Sequence, residues 1–124
     1  MATGKKKAVG ASAPAGATED DLDRLVKALQ KTYEKLREVD EDDLPPGRAQ
    51  EYWRDRYFAR AAWEHAELAA FENLVDQQRQ QLPALADSNA KLAKDAQSTA
   101  DAMALLDVVS ASLGVLASVI ALLA

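Results

Sequence analysis

The sequence has no cysteine, one histidine, and only two aromatic residues outside a single short stretch. Without cysteine there is no disulfide framework and no thiolate metal site, and nothing follows about redox compartment. Aromatics make up 6% of the chain, and much of the 48% apolar content is alanine. Large core-filling side chains are therefore scarce, which suits closely packed helices better than a mixed α/β core. There is no glycine-rich phosphate loop and no serine in a nucleophile elbow, so the usual sequence signatures of an enzyme are missing. The net charge of −5 argues against a generic nucleic-acid binder. Nor does the N-terminus carry a continuous apolar segment of the secretory kind; its Gly, Ala, Ser and Pro content reads as a flexible tail over 1–17. Lys5, Lys6 and Lys7 give that tail a basic start, either simply solvated or able to touch an anionic surface.

The remaining chain, at 124 residues in all, forms at most one domain. The first helix is expected over about 18–40. Thr18 stands as N-cap with Asp21 three residues on, and Glu19, Asp20 and Asp21 put negative charge at the positive end of the helix dipole. Leu22, Val26, Leu29, Tyr33 and Leu36 then form one apolar seam. The segment "DEDDLPPGR" ends this helix. Its acidic run lacks the alternation and central glycine of a calcium loop, so it reads as a solvated turn.

A second helix is expected over about 49–82. It holds Tyr52, Trp53, Tyr57, Phe58 and Trp63, interleaved with Arg54, Arg56 and Arg60, and then an alanine stripe at Ala59, Ala62, Ala66 and Ala69. Trp, Tyr and Arg are the residues that interface hot spots favour, so Trp53, Arg54, Tyr57, Arg60 and Trp63 are candidate partner-binding residues. The alternative is that Trp53, Tyr57 and Trp63 pack under the first helix. His65 has Ala61, Ala62, Leu68 and Ala69 at the spacings a helical metal site would need, which excludes it as a ligand on geometry. Pro83 and the turn formers of "ADSN" place the next junction at 82–89, as a hairpin turn or as a kink in one long helix.

The third helix is expected from about 89 to 124, changing character near 102. The final 17 residues carry no charge. Leu106, Val109, Leu113, Leu116, Ile120 and Leu123 form one aliphatic row; Leu105, Val108, Val115, Val119 and Leu122 form another. Ser110, Gly114 and Ser118 recur every four residues as a small-residue groove suited to helix–helix contact. A helix without a polar face needs lipid or other helices around it. Seventeen residues span about 26 Å, against roughly 30 Å of hydrocarbon. The nine large aliphatics among them contribute roughly −3 to −5 kcal/mol to insertion. Asp107 bounds the segment. This layout, with polar helices first and an apolar C-terminal segment, is similar in outline to that of tail-anchored and small holin-associated proteins.

The sequence thus implies an all-α protein: a three-helix antiparallel bundle, or a helical hairpin with an elongated apolar C-terminal helix. It comprises the tail (1–17), a helical region (18–101) and a candidate membrane segment (102–124). The expected function is non-enzymatic self-association, with the last helix inserted in or docked on a membrane as anchor or pore former. The alternative is a soluble adaptor or structural subunit with that helix buried in an assembly. Expected partners are a second copy, another protein and membrane lipid, with no cofactor, metal, nucleic acid or small-molecule substrate. The expected location is the cytoplasm or the cytoplasmic face of a membrane.

Overall fold

The computed structural model describes residues 18–124, all helices and connections with no strand among them. The tail expected over 1–17 lies outside the described residues. Helix α1 runs Glu19–Arg37, α2 Ala49–Leu68, α3 Asp76–Gln97, α4 Ala102–Ala111 and α5 Leu113–Leu123.

α1 starts as its sequence implies. The Thr18 amide donates to the Asp21 carboxylate at 2.9 Å, which satisfies a donor the helix cannot. Its seam is buried at Leu22, Leu29, Tyr33 and Leu36, whereas Val26 is half-buried and Leu25, outside the expected seam, is fully buried; α1 packs on both α2 and α3. The 38–48 connection contains two short 3₁₀ turns, and the Asp40 carboxylate accepts from the Asp42 amide at 3.0 Å. Tyr52, at the start of α2, donates its hydroxyl to the Leu36 carbonyl at the end of α1, 2.8 Å away. That bond closes the first helical hairpin.

The second junction differs from the one expected. α2 ends at Leu68, and α3 runs unbroken through Pro83. An interior proline costs a helix roughly 3 kcal/mol. Burial outweighs it, because Leu82, Ala86, Asn89 and Leu92 all lie in the core. Two of the turn formers that follow turn a donor back on the helix: Ser88 Oγ and Asn89 Nδ2 both donate to the Leu85 carbonyl, at 3.1 and 2.8 Å, while Asp87 reaches Arg24 on α1. The real break is 69–75, "AAFENLV", which contains neither glycine nor proline. Arg79 holds it. The guanidinium donates to the Phe71 and Glu72 carbonyls at 3.3 and 3.2 Å and lies over the Phe71 ring.

The C-terminal region is likewise divided. The single helix expected over 89–124 is three helices. α3 stops at Gln97, where Ser98 and Thr99 hydroxyls donate to the Lys94 and Ala96 carbonyls. Asp101 then caps α4, accepting from the Ala104 amide at 2.8 Å. A second break at Ser112 bends α5 away from α4 by 52°. No single helix among the described residues is long and apolar enough to cross a membrane; only the bent α4–α5 pair has the combined length and composition.

α5 packs against α2 and α3, and α4 touches the same two helices. Leu105, Leu106, Val109, Leu116 and Val119 are buried, while Asp107, Ala111, Gly114, Ser118 and Ala121 are exposed. The aliphatic side therefore faces the core of its own chain and the small side faces outward. This removes the premise that the helix must be enclosed all round. Small side chains present little apolar area to water, so a helix without charged residues can still occupy a surface. The alanine stripe of α2 is buried, at Ala59, Ala62 and Ala66, but the small row of α5 is not what meets it. Gln78 ties the C-terminus down: its Nε2 donates to the Leu122 carbonyl at 2.8 Å while its Oε1 accepts from the Val75 amide.

Candidate functional site

The densest polar arrangement lies where the start of α2 meets α4. Arg48 makes a bidentate pair with Glu51, both contacts 3.0 Å, and reaches Asp107 on α4 at 2.8 Å. The Ser110 hydroxyl lies 2.8 Å from Glu51 Oε2 and also contacts Asp55 Oδ2. Asp55 is fully buried, and its other oxygen accepts from Arg54 Nε at 2.9 Å. One hydroxyl proton serves two carboxylates, so Ser110 donates to one at a time. The Arg48 pairing, with help from Ser110, lowers the Glu51 carboxyl to about 2, and the same ion pairs raise the Arg48 guanidinium above its usual value. Among the described residues no histidine base stands in this cluster, and no three His, Asp or Glu side chains converge as metal ligands. The arrangement fixes the rotation of α4: Asp107 and Ser110 face α2, which sends Leu106 and Val109 into the core.

The outward face of α2 is the second feature. Residues 52, 55, 59, 62 and 66 point inward, leaving Trp53, Tyr57, Arg60 and Glu64 on the opposite side. Trp53 is 47% and Tyr57 69% exposed, unusual for side chains of this size. Arg56 stacks over Trp53, with its guanidinium carbon 4.9 Å from the ring centre, and donates to the Tyr52 hydroxyl at 3.2 Å. Arg60 pairs with Glu64 at 3.4 Å. Beyond them a shallow groove is lined by Tyr57, Arg60, Glu64, His65 and Leu68, the last 84% exposed.

The partner-binding candidates thus separate. Trp53, Arg54, Tyr57 and Arg60 are exposed on α2, whereas Trp63 stacks on Tyr33 of α1 with ring centres 5.6 Å apart. Packing under α1 holds for Trp63 but not for Trp53 or Tyr57. The helix–helix or membrane candidates separate too. Leu106, Val109 and Leu116 are core residues; Leu113, Ile120 and Leu123 are half-buried around them; Ser110 is in the polar cluster; Gly114 and Ser118 are exposed. Nothing lies within 4 Å of a Cβ placed on Gly114, and Ser118 donates to the Gly114 carbonyl of its own helix. Sequence reasoning missed Asp55 and Glu51, which looked like ordinary polar-face carboxylates. Their positions three and seven residues after Arg48 were the available signal.

Fold and site together define an all-α protein with a clamped polar corner and an exposed aromatic–arginine face. Comparison with known protein families, curated proteins and solved structures finds no match to this chain.

Proposed function

We propose that the protein is a non-enzymatic interaction module: a helical bundle that shelters its own C-terminal helices and associates through the outward face of α2. The observation that carries this reading is the pair of exposed rings at Trp53 and Tyr57, flanked by Arg54, Arg56 and Arg60. Rigid aromatics and arginines carry interface energy out of proportion to their number. Neutral truncation of such residues on a finished monomer surface changes stability little, so they are free to act on a partner. The partner in this reading is a second copy or another protein, which makes the chain an adaptor or structural subunit.

Sedimentation equilibrium of the full chain without detergent tests it. The expected result is concentration-dependent self-association that W53A/Y57A abolishes while thermal stability stays the same. A chain that stays monomeric at every concentration, or a double variant that associates as tightly as the parent, refutes self-association through this face.

Membrane docking is a second reading, favoured by the length and composition of α4 and α5 taken together. It requires the pair to swing away from α2 and α3 and to break the Arg48–Asp107 and Gln78–Leu122 contacts. Vesicle flotation of the full chain separates the two: recovery with phosphatidylcholine vesicles supports insertion, and retention in the soluble fraction removes it.

A further inference from the structure

A groove of about 530 Å³ runs between α1 and α3, on a part of the surface separate from the aromatic face of α2. Arg24, Lys27 and Lys31 line it from α1, and Lys94 from α3. Its floor is alanine: Ala28 and Ala93 are buried, and Ala90 lies at the edge. Small floor residues let the helices approach and leave a trough between the lysine stems. No carboxylate lines this stretch, although the chain carries a net charge of −5. Arg24 closes one end and is neutralised there by Asp21 and Asp87, at 2.9 and 3.0 Å. Glu34 and Glu38 appear only beyond Lys31, in the neighbouring groove. Among the described residues Lys27, Lys31 and Lys94 make no ion pair, in contrast to Lys91, which pairs with Asp95.

We infer that this groove binds a polyphosphorylated anion, either free in solution or carried on a lipid headgroup. Lys27 and Lys31 are one turn apart, about 6 Å along the helix axis. Lys94 lines the same trough from the facing helix, so the three unpaired lysines border one groove, where charges closer than a Debye length, about 10 Å at 0.1 M salt, are little screened from one another. Their potentials add, and a ligand with several negative charges engages all three where a single carboxylate meets one. Lysine serves as a point charge for phosphate, and the flexible stems accommodate phosphates of differing spacing. Gln97 and Ser98 add polar groups at the far end.

The test uses the full chain, the variant K27Q/K31Q/K94Q, and a charge-matched control, Q50E/Q77E/Q81E, at exposed glutamines outside the groove. Both variants shift net charge by the same amount. Calorimetry with tripolyphosphate reads the free-anion source. Flotation with phosphatidylcholine vesicles containing phosphatidylinositol bisphosphate reads the headgroup source. The expected result is binding in at least one arm, weakened roughly a hundredfold in the lysine variant, from about a fivefold factor per lysine near an anionic surface. The control should retain most of it. Binding in neither arm overturns the inference. So does an equal loss in both variants, which would make the effect one of net charge alone. The outcome is independent of the α2 face, since W53A/Y57A leaves the groove intact.

Discussion

Replacing Ser110 with alanine isolates the contact that orients α4. The hydroxyl donates to Glu51 or to Asp55, one at a time, and Asp55 is a carboxylate with no exposed surface whose remaining partner is Arg54. A hydrogen bond to a buried charged group contributes roughly 1.5–3 kcal/mol. Alanine returns about 0.5 kcal/mol in helix propensity. The net loss is therefore about 1–2.5 kcal/mol, which for a chain of this length lowers Tm by roughly 4–10 °C. Thermal unfolding followed by circular dichroism reads the change. Ser118→Ala is the internal control, the same substitution on the next helix. Its hydroxyl bonds only the Gly114 carbonyl and is exposed, so its removal should leave Tm unchanged or slightly raised. If Ser110→Ala behaves like Ser118→Ala, Ser110 does not anchor α4 to α2, and the reasoning from the polar cluster fails.

Three further outcomes follow from the same contacts. Arg79→Ala strips two carbonyls of the 69–75 connection and the ring contact on Phe71, and should destabilise by about 1–2 kcal/mol in urea unfolding. Gly114→Ala sits in open space at an exposed helical position and should stabilise by up to about 1 kcal/mol; destabilisation instead would show that something packs against this row. Glu51 titrates near 2 when folded, below its ordinary value of 4.5. Its contribution to stability is therefore present above about pH 4.5 and lost as pH falls toward 2. In Ser110→Ala, NMR titration should find the Glu51 value raised toward the ordinary one.

Much of α1 was legible because its cap, seam and acidic first turn all agree. The start of α2 was also clear, since two prolines and a glycine precede it. The second junction was misread for a physical reason. Pro83 is a strong local signal, but local propensity yielded to the burial of Leu82, Ala86 and Leu92. The break at 69–75 is held by Arg79, a side chain from the following helix, and no propensity within "AAFENLV" announces it. In the C-terminal region the three rows were readable, but which row faced inward was not. Small residues at fixed spacing mark either a close helix contact or a surface that exposes little apolar area, and both leave the same pattern. The choice depends on Arg48, Glu51 and Asp55, more than fifty residues away in sequence.

The chain has no cysteine, so thiol accessibility can be measured one position at a time. Ser118→Cys and Val119→Cys are neighbours in sequence on α5, one on the exposed small row and the other fully buried. With a water-soluble maleimide and folded full-length protein, the thiol introduced by Ser118→Cys should label as fast as a free thiol. The one introduced by Val119→Cys should label only as the bundle opens, slower by orders of magnitude. Rapid labelling of the Val119→Cys variant with protection of the Ser118→Cys variant would contradict the orientation of the C-terminal helices described above, and would return the small row to the inside of a helix–helix interface.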